Sequence, residues 1–91
     1  MIVEVSDEAL EDLTRLRRWL GERHPAAAIR AAVALGTAFK SLRRFPDRGA
    51  LLGGGLRERH VKFGRYGYVV HYEVLGDQVI VTRVFHALEA R

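Results

Sequence analysis

Cysteine is absent from the 91-residue chain, which excludes a disulfide framework, a thiolate zinc site and a cysteine nucleophile. A chain without thiols fits a reducing compartment, and the cytoplasm is the expected location. Long apolar runs are missing as well. No segment approaches the roughly 18 uninterrupted apolar residues of a membrane span, and Met1 to Val5 lacks the basic region and apolar stretch of a secretion signal. Neither secretion nor membrane insertion is expected. No GxxxxGK[ST] string is present to hold phosphate and magnesium, and no G-x-S-x-G elbow surrounds Ser6 or Ser41. None of His24, His60, His71 and His86 pairs with another at HExxH spacing, so neither a metal nor another cofactor is expected.

What remains is ordinary globular material, with 48% hydrophobic and 29% charged residues and a formal net charge of +4. A chain of this size can remove roughly 60 to 65 % of its unfolded surface from water. That suffices for one core and not for two, so residues 1–91 are expected to form a single domain.

The first five residues alternate as a short strand, and Ser6-Asp7-Glu8 supplies an N-cap and the acidic first turn that suits the positive end of a helix. Ala9, Leu13, Leu16 and Leu20 then recur at helical spacing. Pro25 can open a second helix, because a first-turn proline forfeits no intrahelical hydrogen bond. From Ala26 to Phe45 the alanine-rich stretch carries Ile29, Ala32, Val33, Gly36, Phe39 and Leu42 on a narrow face, and Pro46 ends it. The segment from Asp47 through Gly53-Gly54-Gly55 reads as a mobile connection. Leu56 to Phe63, Tyr66 to Val74 and Gln78 to Phe85 are three β-rich runs with short links, which predicts an antiparallel meander. The Met1 to Val5 strand should join its edge. The predicted fold is α+β, of order β-α-α-β-β-β, with a helical hairpin covering one face of the sheet.

Basic residues gather at Arg43, Arg44 and Arg48 and again at Arg57, Arg59, His60, Lys62 and Arg65, whereas acidic ones gather near the N-terminus. Such a field suits a nucleic acid or an acidic protein segment, or serves only as a solvated surface. Arg57 and Arg59 should share one face of their strand, with Glu58, His60 and Lys62 on the other. Tyr66, Tyr68 and Tyr72 share a parity that serves core packing or base stacking. His86 can act as a general acid or base, or as a surface residue. Glu11 and Asp12 read as exposed helix surface.

Several of these strings in order, namely Ser6-Asp7-Glu8-Ala9, Phe45-Pro46-Asp47-Arg48-Gly49, Leu56-Arg57-Glu58, Tyr68-Val69-Val70-His71-Tyr72 and Arg83-Val84-Phe85-His86, resemble toxins of the RelE/ParE superfamily. The resemblance covers nearly all of the chain. It implies a bacterial type II toxin that arrests growth and is neutralised by a cognate antitoxin protein in a hetero-oligomer. Two activities occur on this architecture, so fold does not choose between them. The RelE-like branch cleaves mRNA on the ribosome; here Lys62, Arg59 and His86 are the candidates for that chemistry, but Val69 stands where an arginine is expected and no tyrosine follows His86. The Leu56-Arg57-Glu58 and Arg83-to-His86 strings resemble the ParE-like branch, which poisons DNA gyrase. On that branch Arg83 and His86, with Arg57 and Arg59 as secondary contacts, are the expected target-binding residues. An antitoxin-binding module that is inactive or has another target is a third reading. Trp19 lies off the main helical stripe, so Trp19, Leu16 and Leu20 are the expected antitoxin-binding residues. Arg83 and His86, three apart, should point to opposite faces of a regular strand. Glu73 is a candidate carboxylate for Arg83.

Overall fold

The computed structural model describes residues 1–89. The element order is β1 (Ile2–Val5), α1 (Asp7–Arg23), α2 (Pro25–Arg44), β2 (Ala50–Gly53), β3 (Leu56–Val61), β4 (Tyr68–Leu75) and β5 (Gln78–His86). The strands form one sheet in the order β1-β5-β4-β3-β2. Neighbours from β2 to β5 are antiparallel, and β1 joins β5 in parallel. The α+β architecture, the helical hairpin and the edge position of β1 are those expected from the sequence. The segment read as a connection is different. It contains β2, whose Ala50 and Leu51 pair with Glu58 and Arg57; the three glycines, all at positive φ, turn this strand back into β3 and mask its β character. The link between β3 and β4 is also longer than expected, running from Lys62 to Gly67.

Local chemistry explains the helices. The Ser6 hydroxyl accepts from Ala9 N–H at 3.1 Å, capping α1. His24 alone separates the helices: its N–H closes α1 on Leu20 O, and Pro25 opens α2. Ala9, Leu16, Ala31, Leu35 and Leu42 then meet Val61, Tyr68, Val70, Tyr72, Val79, Val81 and Val84 of the sheet. Burying each large aliphatic side chain contributes about 1.5–3 kcal/mol of transfer free energy.

In β5 the pairing with β4 shifts by one residue between His71 and Tyr72, leaving Thr82 as an extra residue. The bulge changes the phase, so Val79 and Val81 before it and Val84 after it all face the helices. Pairing with β1 stops at Val81. Beyond that point α1 serves the free edge of β5: the Ser6 hydroxyl donates to Thr82 O at 3.0 Å, and the Asp12 carboxylate accepts from Val84 N–H at 2.9 Å. A helix end thus satisfies edge groups that a strand would otherwise pair.

Candidate functional site

A groove of about 560 Å³ runs along the helix-covered side of the sheet at the end of β5. Arg15, Leu16, Trp19 and Leu20 of α1 line one side; Phe63 to Tyr66, Tyr68, His86, Leu88 and Glu89 line the other. Leu16, Leu20 and Tyr68 also line an adjoining cleft of about 340 Å³ between the two helices, which makes one apolar trough. Trp19 is 55% exposed, and the Arg23 guanidinium lies 4.2 Å from its ring centre.

Gly67 shapes the loop side. Its φ is 79°, and a side chain there would run into the Val61 carbonyl. The Gly67 carbonyl accepts from Ala87 N–H at 3.0 Å, drawing the tail against the loop. His86 therefore meets Tyr68 edge-on at 5.8 Å and Tyr66 at 6.2 Å, while Phe63 stacks on Tyr68 at 5.8 Å. Burial pushes the Tyr68 phenol above its ordinary pKa, so it stays protonated at neutral pH. His86 Nδ1 accepts from Leu88 N–H at 3.2 Å. That assigns the proton of the neutral ring to Nε2, so the imidazole offers the groove a donor.

The tail is tied down by Glu89, which accepts from Arg15 at 2.7 Å and from His86 N–H at 2.8 Å. Arg15 also reaches Asp12 at 3.2 Å. Asp12 is the centre of this network and is buried, not exposed as its position beside Glu11 suggests. Besides Val84 N–H it accepts from Arg83 Nε at 2.8 Å and Arg83 Nη2 at 3.1 Å. Burial works to raise the Asp12 pKa, but the hydrogen bonds from Arg83, Val84 and Arg15 outweigh it and hold the carboxyl below the ordinary range. The same contact with Asp12 raises Arg83 further. The carboxylate of Arg83 is therefore Asp12 of α1 and not Glu73, whose cross-strand partner is Ile80.

The expected site residues divide among different places. Leu16, Trp19, Leu20 and His86 come together at the groove. Arg83 pairs across from His71 on the open face and turns around the β5 edge to Asp12, while His86 faces the helix side, the opposition that strand parity requires. Arg57 is occupied in holding a turn: it donates to Asp47 O at 3.2 Å and Gly49 O at 2.9 Å, with the Asp47 carboxylate at 3.5 Å. Arg59 shares its face, half-buried, with Nε buried and without a hydrogen-bond partner among the described residues. Lys62 is exposed just beyond β3. Tyr68 and Tyr72 are core residues, and Tyr66 is exposed in the loop.

On the open face the cross-strand pair Val69 and Phe85 is buried. Beside it, His71 Nε2 meets Glu58 at 2.8 Å and packs edge-on against Phe85 at 5.4 Å. The residue of this network that the sequence did not reveal is Asp12. Its signal was its place, three residues after Ala9 and four before Leu16, inside the apolar stripe. A carboxylate on that face has to find a buried partner.

Comparison with known proteins adds the following. The profile described as the ParE toxin of the type II toxin-antitoxin system, parDE, matches residues 3–91. The chain is 45% identical over 89 residues to toxin RelE1 of Caulobacter vibrioides, covering 98% of this chain and 96% of that toxin. It is 42% identical over 89 residues to toxin RelE3 of the same organism, covering 98% and 97%. A solved structure titled as the chromosomal ParDE system from P. aeruginosa has the same fold, with a TM-score of 0.77, 19% identity and 96% of each chain covered.

Proposed function

The chain belongs to the ParE toxin family of type II toxin-antitoxin systems, and we propose that it arrests growth by blocking DNA gyrase until its antitoxin neutralises it. The observation that carries the choice of target is the dispersal of nuclease candidates. Lys62 is exposed just beyond the end of β3, Arg59 and His86 lie on the helix side in different neighbourhoods, and the open face carries buried Val69 and Phe85. Positioned proton transfer contributes about 10² to 10⁴ in rate to such cleavage and requires acid, base and cation to share one reacting phosphate. The antitoxin occupies the apolar trough through Leu16, Trp19 and Leu20. His86 and Arg59 keep free polar groups for the target, whereas Arg83 and Arg57, already holding Asp12 and the Asp47 turn, act by positioning.

A second reading, cleavage of mRNA on the ribosome, is favoured by the RelE names of the Caulobacter relatives and by His86 beside Tyr66 at the groove. Purified gyrase, supercoiled DNA and this protein separate the two. Linear DNA covalently attached to gyrase is the expected product. Codon-positioned cuts in ribosome-bound mRNA, with gyrase unaffected, would reverse the assignment.

A further inference from the structure

The turn from Phe45 to Gly49 is built as a rigid platform. Tyr72 Oη donates to Pro46 O at 2.7 Å and accepts from Gly49 N–H at 2.8 Å, and Arg57 closes the same turn from the other side. What the platform displays is charge. Phe45 is 45% exposed, and two guanidinium groups flank its ring, Arg48 at 4.2 Å and Arg44 at 5.6 Å. Lys40 stands one helical turn before Arg44 on the same stripe of α2, and both are exposed. Arg59 follows Arg57 on the same face of β3, about 7 Å further along the strand. The nearby carboxylate of Asp47 is engaged by Arg57. Lys40, Arg44, Arg48 and Arg59 thus remain without an ion pair among the described residues, and two of them, Arg44 and Arg48, flank the Phe45 ring.

We propose that Lys40, Arg44, Phe45, Arg48 and Arg59 form a binding surface for the phosphodiester backbone of a nucleic acid. Guanidinium forks match phosphate oxygens, and the Arg48 guanidinium laid over Phe45 is itself a planar surface on which an unpaired base can stack. An acidic peptide is the weaker fit, because its carboxylate side chains engage only the guanidinium edges and leave the stacking surface of Arg48 unused. The surface shares no residue with the groove and only Arg59 with the contacts proposed for the target, and it does not depend on gyrase being that target.

The test is fluorescence anisotropy with the full-length protein and labelled 20-base-pair DNA or single-stranded RNA. Four neutralised phosphates give a log-log salt slope of about −3.6 on duplex DNA, so affinity should fall about 150-fold between 50 and 200 mM salt. The double variant Arg44→Ala with Arg48→Ala should weaken binding at least about tenfold at 50 mM and roughly halve the slope. The control Arg18→Ala with Arg30→Ala removes equal charge from exposed positions elsewhere and should change neither by more than about twofold. Thermal melts establish that both variants are folded. Tighter binding of either nucleic acid supports the phosphate surface and identifies its source. The proposal is overturned if wild type binds neither at 50 mM, if the Arg44 and Arg48 changes act no more strongly than the control, or if a glutamate-rich peptide alone binds through these arginines.

Discussion

Replacing Asp12 by alanine tests how the helical hairpin is fastened to the sheet. The carboxylate receives four hydrogen bonds, from Val84 N–H, two Arg83 nitrogens and Arg15. Arg83 and Arg15 have side chains 47% and 45% exposed, so water can solvate their released guanidinium groups. Val84 is buried, and its N–H loses its acceptor outright, a cost of about 1–3 kcal/mol. With the lost charged hydrogen bonds the total is about 3 kcal/mol. For a domain of this size that lowers Tm by roughly 12–24 °C. Asp12→Asn keeps an acceptor for Val84 and should lose about half as much. The sign of the pH dependence follows from the lowered pKa. Stability from Asp12 is fully present above the unfolded carboxyl pKa near 3.9 and disappears as pH falls through the lower folded value. Urea melts of wild type and Asp12→Ala should therefore begin to converge below about pH 4 and draw together further as pH falls. A Tm change under about 3 °C at pH 7, or a difference unchanged at low pH, would refute this account.

Gly49→Ala would place a methyl group 2.6 Å from Tyr72 Oη and 3.0 Å from Glu58 O; it should cost about 1–3 kcal/mol by urea melt, with both Tyr72 hydrogen bonds disturbed. Wild-type stability would show that the turn yields. Trp19→Ser should change stability by less than about 1 kcal/mol because the ring is half in water, yet weaken antitoxin binding at least about tenfold by calorimetry. Unchanged affinity would remove Trp19 from that interface.

The elements were legible where local chemistry and burial agree. Ser6 caps, Pro25 opens a helix, and the valine-rich runs around Val70 and Val81 form strands covered on one face. Gly76 turns one strand into the next at φ 60°. Legibility failed where a long-range partner decides the outcome. Ala50 to Gly53 becomes a strand because β3 offers an edge, although all four residues are exposed. Thr82 carries no mark of being a bulge, yet it sets the phase of everything after it. Of the candidate site, the exposure of Trp19 was legible from its place off the α1 stripe, whereas its meeting with His86 in one groove depends on the Gly67 loop and was not. The arginines' partners were not legible, because a guanidinium that grips a carbonyl turn, as Arg57 does, has the same sequence appearance as one awaiting a partner.

The two sides of the groove differ in compliance. Helix α1 is fixed to β5 by buried anchors, Ser6 and Asp12, so that side is stiff. On the opposite side the tail meets the loop through the Ala87 to Gly67 hydrogen bond and meets α1 through the partly solvated Arg15 to Glu89 pair, which is worth at most about 1 kcal/mol. An occupant larger than the resting groove would therefore deform the tail and loop while the helix holds its place. Adaptation to different partners falls to His86, Leu88 and the loop at Tyr66, and α1 supplies the fixed reference against which they adjust.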